Sequence, residues 1–261
     1  LQNRFSDNST SGTTIGGNIA YTEPIGKKGQ LQFDYTPSVQ KNKADQQTFT
    51  YDGQKYSVFD ETLSNRFDNT VITNNAGINY RLGQSRDEQL SFGVNFQNSK
   101  LESQRVYPTT TNVNQSFSNI LPNLMYRKKI GMYTNIRVFY RASTNFPSIS
   151  QLQDVVNLSN PLRVSSGNPD LKQSYTNFLS GRYSYTNTKT GKSFFANLFL
   201  QTASDYISTA TYVAAADSSI QQNIILKKGS QLTKPINLDG YKSLRTFFTY
   251  SMPLQFIKTT L

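Results

Sequence analysis

Apolar and polar residues alternate along most of this chain with a period of two. Leu31, Phe33, Tyr35, Pro37 and Val39 fall on one face, and Gln32, Asp34, Thr36, Ser38 and Gln40 on the other. Ile72, Ala76, Ile78, Tyr80 and Leu82 alternate with Thr73, Gly77, Asn79 and Arg81. Leu90, Phe92, Val94 and Phe96 alternate with Ser91, Gly93, Asn95 and Gln97. Thr134, Ile136, Val138 and Tyr140 alternate with Asn135, Arg137, Phe139 and Arg141. A strand with one face toward an apolar medium reads this way, and helical spacing is almost absent. The pattern predicts about nine strands, over 12–22, 30–41, 70–82, 89–103, 116–127, 132–144, 173–186, 192–206 and 240–252. Each has roughly ten residues or more, the length a membrane-crossing strand needs. Strands of soluble proteins average about five to six.

The connections alternate between short and long. Short ones cover 23–29, 83–88, 128–131 and 187–191; long ones cover 42–69, 104–115, 145–172 and 207–239. Outer-membrane barrels have short periplasmic turns and long outer loops. That rule makes the first strand descend, the second ascend, and so on. Tyr21, Tyr80, Tyr126, Tyr185 and Tyr250 each stand near the lower end of a descending strand, on its apolar parity. Tyr is a good strand former anywhere. The shared position points further, to an aromatic girdle where a ring meets lipid and its hydroxyl meets water. Asn74 and Asn177 fall on apolar faces near the outer ends, and Pro122 predicts a bulge.

The inward residues are mainly Asn, Gln, Ser, Thr, Arg and Gly. A small soluble barrel fills that space with apolar side chains. The oily face is therefore expected outside, against outer-membrane lipid. Phe33, Phe92, Phe96, Ile136, Val138 and Leu244 should then project from the convex face. Asn95, Gln97, Arg137 and Arg141 should project from the concave one. The fold class expected is all-β: an antiparallel up-and-down transmembrane β-barrel segment, unclosed. Residues 1–261 are read as part of one such domain, cut at both ends.

Composition narrows the chemistry. The 261 residues hold 27 Lys+Arg against 16 Asp+Glu, a net charge of +11, and no Cys, His or Trp. Disulfides, thiolate nucleophiles, His-based triads and Cys/His metal sites are excluded. Mean hydropathy is −0.55, which is low because a barrel strand gives only alternate residues to lipid. Asp60–Glu61 and Asp87–Glu88 read as solvated loop acids, so no catalytic role, cofactor or metal is assigned. The basic residues are scattered through turns (Lys27, Lys28, Lys128, Lys129, Lys189, Lys192) and inward sites (Arg81, Arg137, Arg141, Arg182). They form no basic stripe with interleaved stacking aromatics, so no nucleic-acid partner is expected. Inward arginines are expected to pair with lumen carboxylates or with groups of an inner domain.

The third long connection holds Phe146-Pro147-Ser148-Ile149-Ser150-Gln151-Leu152 and ends Ser166-Gly167-Asn168-Pro169-Asp170-Leu171-Lys172-Gln173. It resembles the signature of TonB-dependent outer-membrane receptors, most closely the Bacteroidetes type. Thr233–Tyr241 is similar to the start of a descending strand in that group. The resemblance implies a receptor or transporter barrel in the outer membrane of a Gram-negative bacterium. It also implies a plug domain and TonB as partners of the full-length protein, and a substrate whose identity the residues do not carry. Physically, Pro147 and Pro169 stop ladders, Gly167 permits a turn, and Asn168 or Asp170 can cap it. Leu152, Val155, Val156 and Leu158 are spaced for a short helix with an apolar stripe, packed over the barrel mouth or on a neighbouring loop. Ligand choice is expected to sit in 207–239, separately from this structural loop. Two other readings stay open: a passive or structural outer-membrane barrel, and a secreted soluble β-sandwich adhesin.

Overall fold

The computed structural model describes residues 4–61, 63–83, 85, 87–107, 110–152, 156–157, 160, 162–221, 224–254 and 259–260. The first half holds β1 (Arg4–Gly16), β2 (Ile19–Ile25), β3 (Gly29–Tyr51), β4 (Tyr56–Phe59), β5 (Asn65–Leu82), β6 (Glu88–Tyr107) and β7 (Thr111–Ile130). Next come β8 (Thr134–Asn145), α1 (Ile149–Leu152), β9 (Arg163–Ser165), β10 (Ser174–Asn187), β11 (Lys192–Ser204) and β12 (Tyr206–Val213). Last are β13 (Ser218–Gln221), β14 (Ile224–Leu226), β15 (Gln231–Leu238), β16 (Tyr241–Ser251), β17 (Pro253–Leu254) and β18 (Thr259–Thr260).

One antiparallel sheet runs β1-β3-β5-β6-β7-β8-β10-β11-β16, with β2 and β4 also paired to β3. Gly16 pairs with Ser38 and Ile19 with Tyr35, so β1 and β2 are one crossing in a single register. The interruption faces Pro37, which has no N–H to donate. Nine crossings result, as the alternation predicts. The described residues do not form the two stacked sheets around an apolar interior that an adhesin sandwich requires.

Residues paired across an antiparallel ladder share a face. One row follows Leu31, Tyr80, Phe92, Leu124, Tyr140, Leu179, Leu200 and Leu244 across eight strands. A second holds Tyr21, Phe33, Ile78 and Val94. Phe96 shares its row with Ala76 and Ile120; Val138 shares one with Tyr126, and Ile136 one with Tyr183. Between these rows run Asp34–Gly77–Asn95 and Gln32–Asn79–Gly93–Asn123–Arg141. Apolar side chains lie bare on the first face: Ile19 is 69% exposed, Leu244 64% and Phe248 70%. Contiguous exposed apolar area of this extent belongs against lipid.

The polar face is the concave one. Ser148, three residues past the end of β8, lines one cleft with Thr10–Gly12 of β1 and Asn42–Ala44 of β3. In a flat sheet β1 would stand about 24 Å from β8, five spacings of about 4.8 Å. Three extended residues span at most about 11 Å. The sheet must curl toward its polar side. Convex and concave assignments therefore hold for all ten side chains named for them.

Glycine makes room on the concave face. Asn79 Nδ2 donates to Asp34 Oδ1 at 2.9 Å, and Asn123 Nδ2 reaches across Gly93 to Asn79 Oδ1 at 3.2 Å. A Cβ on Gly93 would lie 1.9 Å from Asn79 Oδ1 and 2.8 Å from the Ile78 carbonyl oxygen. Gly93→Ala should therefore cost roughly 1–3 kcal/mol, read as a lower urea midpoint for the folded full-length barrel. Gly181 has open space around its Cβ position. Gly181→Ala should be neutral or gain up to about 1 kcal/mol. Equal midpoints for the two variants would contradict this packing.

Several expectations need correction. The strands run further than the alternation: β3 reaches Tyr51 and β5 starts at Asn65, within the 42–69 segment read as a loop. Above the lipid both faces meet water, so alternation fades while the ladder continues. The 207–239 loop is mostly ordered strand, β12 paired with β15. Pro122 makes no bulge: it pairs with Val94 without a register shift. Pairing of β7 with β8 reaches only to Asn123, so the proline stands where that edge has no partner. The apolar stripe is not a single helix face either. Val155 and Leu158 lie outside the described residues, α1 is one turn, and Leu152 and Val156 join different clusters.

Candidate functional site

The buried apolar residues gather at the outer mouth. Leu152 and Leu171 pack on Leu101 of β6, with Val71 of β5 and Ile207 against them. Leu101 and Val71 are cross-strand partners on the concave parity. The 145–172 connection thus folds inward over the mouth. Phe146 meets the Phe117 ring edge-on at 5.8 Å, and Gln115 Nε2 donates to the Pro169 carbonyl at 3.3 Å. Gln173 Oε1 accepts from Asn119 Nδ2 at 2.8 Å.

Local chemistry fixes this segment. Ser148 and Gln151 form a capping box on α1: Gln151 N–H donates to Ser148 Oγ at 3.4 Å, and Ser148 N–H to Gln151 Oε1 at 2.8 Å. Asn168, rather than Asp170, makes the cap of the second half. Its Oδ1 accepts from Asp170 N–H at 3.1 Å, and its Nδ2 donates to the Pro235 carbonyl at 3.1 Å. Pro147 and Gly167 are buried, Leu171 fully so, while Asp170 is exposed.

The same residues tie 145–172 to 207–239. Short β9 pairs in parallel with β15, making a three-stranded sheet with β12. Val156, Val164 and Leu226 form its core, with Ile224 and Leu232 packed on them. Asn237 Oδ1 accepts from Lys172 N–H at 2.8 Å, and its Nδ2 donates to the Asp205 carbonyl at 2.7 Å. Asp205 holds a left-handed φ of 50° at the β11–β12 junction. The two loops are packed as one unit, so 145–172 is not structurally separate from 207–239. The outer rim is braced too. Asp52 accepts N–H bonds from Gln54 and Lys55 at 2.8 Å and a hydroxyl bond from Ser57. Those bonds, Ser57 foremost, hold its carboxyl at about 2.

All five tyrosines stand on the convex parity near the lower strand ends. Tyr21 and Tyr250 are 60% and 56% exposed. Tyr185 lies in one row with Phe194 and Tyr250, and Tyr126 in one with Leu90 and Val138. Toward the other end, Tyr35 donates to Asn74 Oδ1 and Tyr140 to Asn177 Oδ1, both at 2.8 Å. The two convex asparagines thus have partners that the sequence does not reveal. Two turn lysines pair with turn acids, Lys128 with Glu88 at 3.1 Å and Lys129 with Asp87 at 3.9 Å.

Two features of the lumen wall refine the reading from sequence: its arginines do not use lumen carboxylates among the described residues, and part of it is aromatic. Arg81, Arg137, Arg141 and Arg182 form no ion pair among the described residues. Toward β16 the concave face is also aromatic: Phe199 stacks on Phe178 at 6.3 Å and meets Phe247 at 6.0 Å. Phe139 already marks this parity in the sequence. No group of three or more potential metal ligands occurs among the described residues.

The arrangement is a wall with a roofed mouth, and known proteins share its overall fold. The family model described as "Outer membrane protein beta-barrel family" matches residues 1–259. No curated protein matches the chain. Among solved structures, "Copper transporter OprC" superposes with a TM-score of 0.65 at 13% identity, over 96% of this chain and 37% of that one. A double mutant of the Serratia marcescens hemophore receptor HasR, in complex with its hemophore HasA and heme, gives 0.58 at 12% identity, over 95% and 40%. At these identities the likeness is one of fold, and this chain spans less than half of either structure. Lipid-facing rows, a polar lumen and the family match together make this chain a member of the outer-membrane β-barrel family, resident in the outer membrane of a Gram-negative bacterium.

Proposed function

We propose that the chain is part of the barrel wall of a TonB-dependent receptor, which takes up a solute recognised at its outer mouth. The observation that carries this reading is the inward fold of 145–172. It roofs a polar lumen with a small packed core, joined to the β9–β12–β15 sheet. A rigidly held outer platform is what a receptor needs to present binding residues to its ligand. The Pro-Ser-x-x-Gln-Leu and Gly-Asn-Pro-x-Leu-Lys stretches resemble the receptor signature, and both build that platform. A copper transporter and a hemophore receptor use the same fold. By resemblance, a plug domain fills the lumen and TonB supplies energy; the convex rows and the tyrosine girdle hold the wall in lipid. The test compares solute accumulation by cells carrying the full-length protein with and without TonB. Loss of accumulation with surface binding intact is expected. Equal accumulation in both strains would instead favour a passive or structural barrel.

A further inference from the structure

The concave face carries an unneutralised row of guanidiniums. Arg127 on β7 pairs with Arg137 on β8, and Arg137 with Arg182 on β10. Like charges directly opposite on a sheet repel. No carboxylate answers them: among the described residues none of the three is ion-paired. Asp34, the acid of the neighbouring lumen rows, receives Asn79 instead. Arg127 gives one nitrogen to Gln89 Oε1 at 3.0 Å, while its Nε is buried with no partner. Arg182 is set over the Phe195 ring, 5.7 Å from its centre. The three arginines, with Asn135 and Ser184, line one cleft of about 210 Å³. Arg81 and Lys28 line the adjoining one together with Arg127.

We infer that this row is an oxyanion-binding strip in the lower lumen, which takes carboxylate or phosphate groups. A guanidinium presents a planar fork of donors that fits either group through two parallel hydrogen bonds. Adjacent strands set the backbones of neighbouring arginines about 4.8 Å apart, so one anion is within reach of two of these side chains. The Asn135 side chain adds a neutral donor beside them, while the Ser184 hydroxyl donates to the Asn135 carbonyl at 3.4 Å. Lipid behind the wall lowers the local dielectric and strengthens the field of uncompensated cations. Such rings of Arg and Lys make a pore selective for anions. The oxyanion belongs either to a free solute in the lumen or to acidic side chains of an inner domain. The strip rests on the concave face being the lumen, and not on TonB-driven uptake.

The test uses the full-length protein in detergent, with inorganic phosphate as the probe. Arg127→Gln, Arg137→Gln and Arg182→Gln are combined, and Lys189→Gln in an exposed turn serves as control. If the anion is a free solute, phosphate binds the parent protein and the triple variant binds it roughly tenfold or more weakly. If it is an inner-domain carboxylate, phosphate does not bind the parent. The triple variant then exposes the inner domain to protease at lower salt. Should the triple variant not assemble, phenylglyoxal labelling of the parent decides. Protection of the three arginines by phosphate, or by the inner domain without it, supports the strip. Free labelling regardless of either overturns it, as does a triple variant that matches the control in both assays.

Discussion

Leu200→Arg should prevent assembly of the folded barrel, whereas Gln201→Arg, one residue further, should leave it largely intact. Leu200 stands midway along β11 in the apolar row between Leu179 and Leu244. Arg at the midplane of a lipid face costs roughly 2–4 kcal/mol. Losing the leucine's apolar contact with lipid and neighbouring side chains adds to that cost. Together these are a large fraction of the stability of an ordinary domain, about 5–15 kcal/mol. Gln201 shares its row with Phe178 and Ser243 on the concave face. A guanidinium there keeps its water and joins a wall that already holds several. The quantity to measure is the heat-modifiable folded fraction of each full-length variant in the membrane. Similar fractions would mean that β11 does not face lipid.

Leu171→Ala should undock the roof of the mouth without dissolving the wall. Leu171 has no exposed surface and packs against Leu101 and Leu152. Truncating a buried leucine to alanine costs about 2–5 kcal/mol, part of it for the cavity left behind. Leu171 stands in the cluster that joins the roof to β6, so that cost falls on local opening. Leu162, in the same connection, is 68% exposed, and Leu162→Ala should change stability by less than about 0.5 kcal/mol. Hydrogen exchange resolves the two. Amides of Gln151, Leu152 and Leu171 should lose protection in Leu171→Ala and keep it in Leu162→Ala. Unchanged protection in both would show that this core does not hold the roof.

The legible part of this fold is the part that lipid touches. There a strand must alternate, and Leu90–Phe96 or Ile136–Tyr140 can be placed by parity alone. Outside the lipid that demand ends. Lys41-Asn42-Lys43 continues β3 with polar residues on both faces, so nothing in its pattern separates it from a loop. The strand β12 was detectable on other grounds, since Tyr206–Val213 is rich in β-branched and aromatic residues. Its partners were not, because β9 and β15 meet only through the tertiary fold. The capping box at Ser148 and Gln151 is also visible in sequence. The inward turn of its loop depends on which concave residues lie opposite, and Leu101 and Val71 look like ordinary strand residues. The arginine row was half legible: parity places Arg137 and Arg182 inward, but only register sets Arg127 beside them.

The measurement that bears most directly on the membrane assignment is a cysteine scan of β11. The chain contributes no cysteine of its own, so each introduced thiol reports alone within this segment. Single cysteines are placed at positions 196–202 in the full-length barrel in membranes. Each is tested with a water-soluble maleimide and with a nitroxide-bearing lipid. Residues 196, 198, 200 and 202 should contact the lipid probe and resist the maleimide, while 197, 199 and 201 do the reverse. An absent alternation, or one of opposite phase, would contradict the placement of lipid on the convex face.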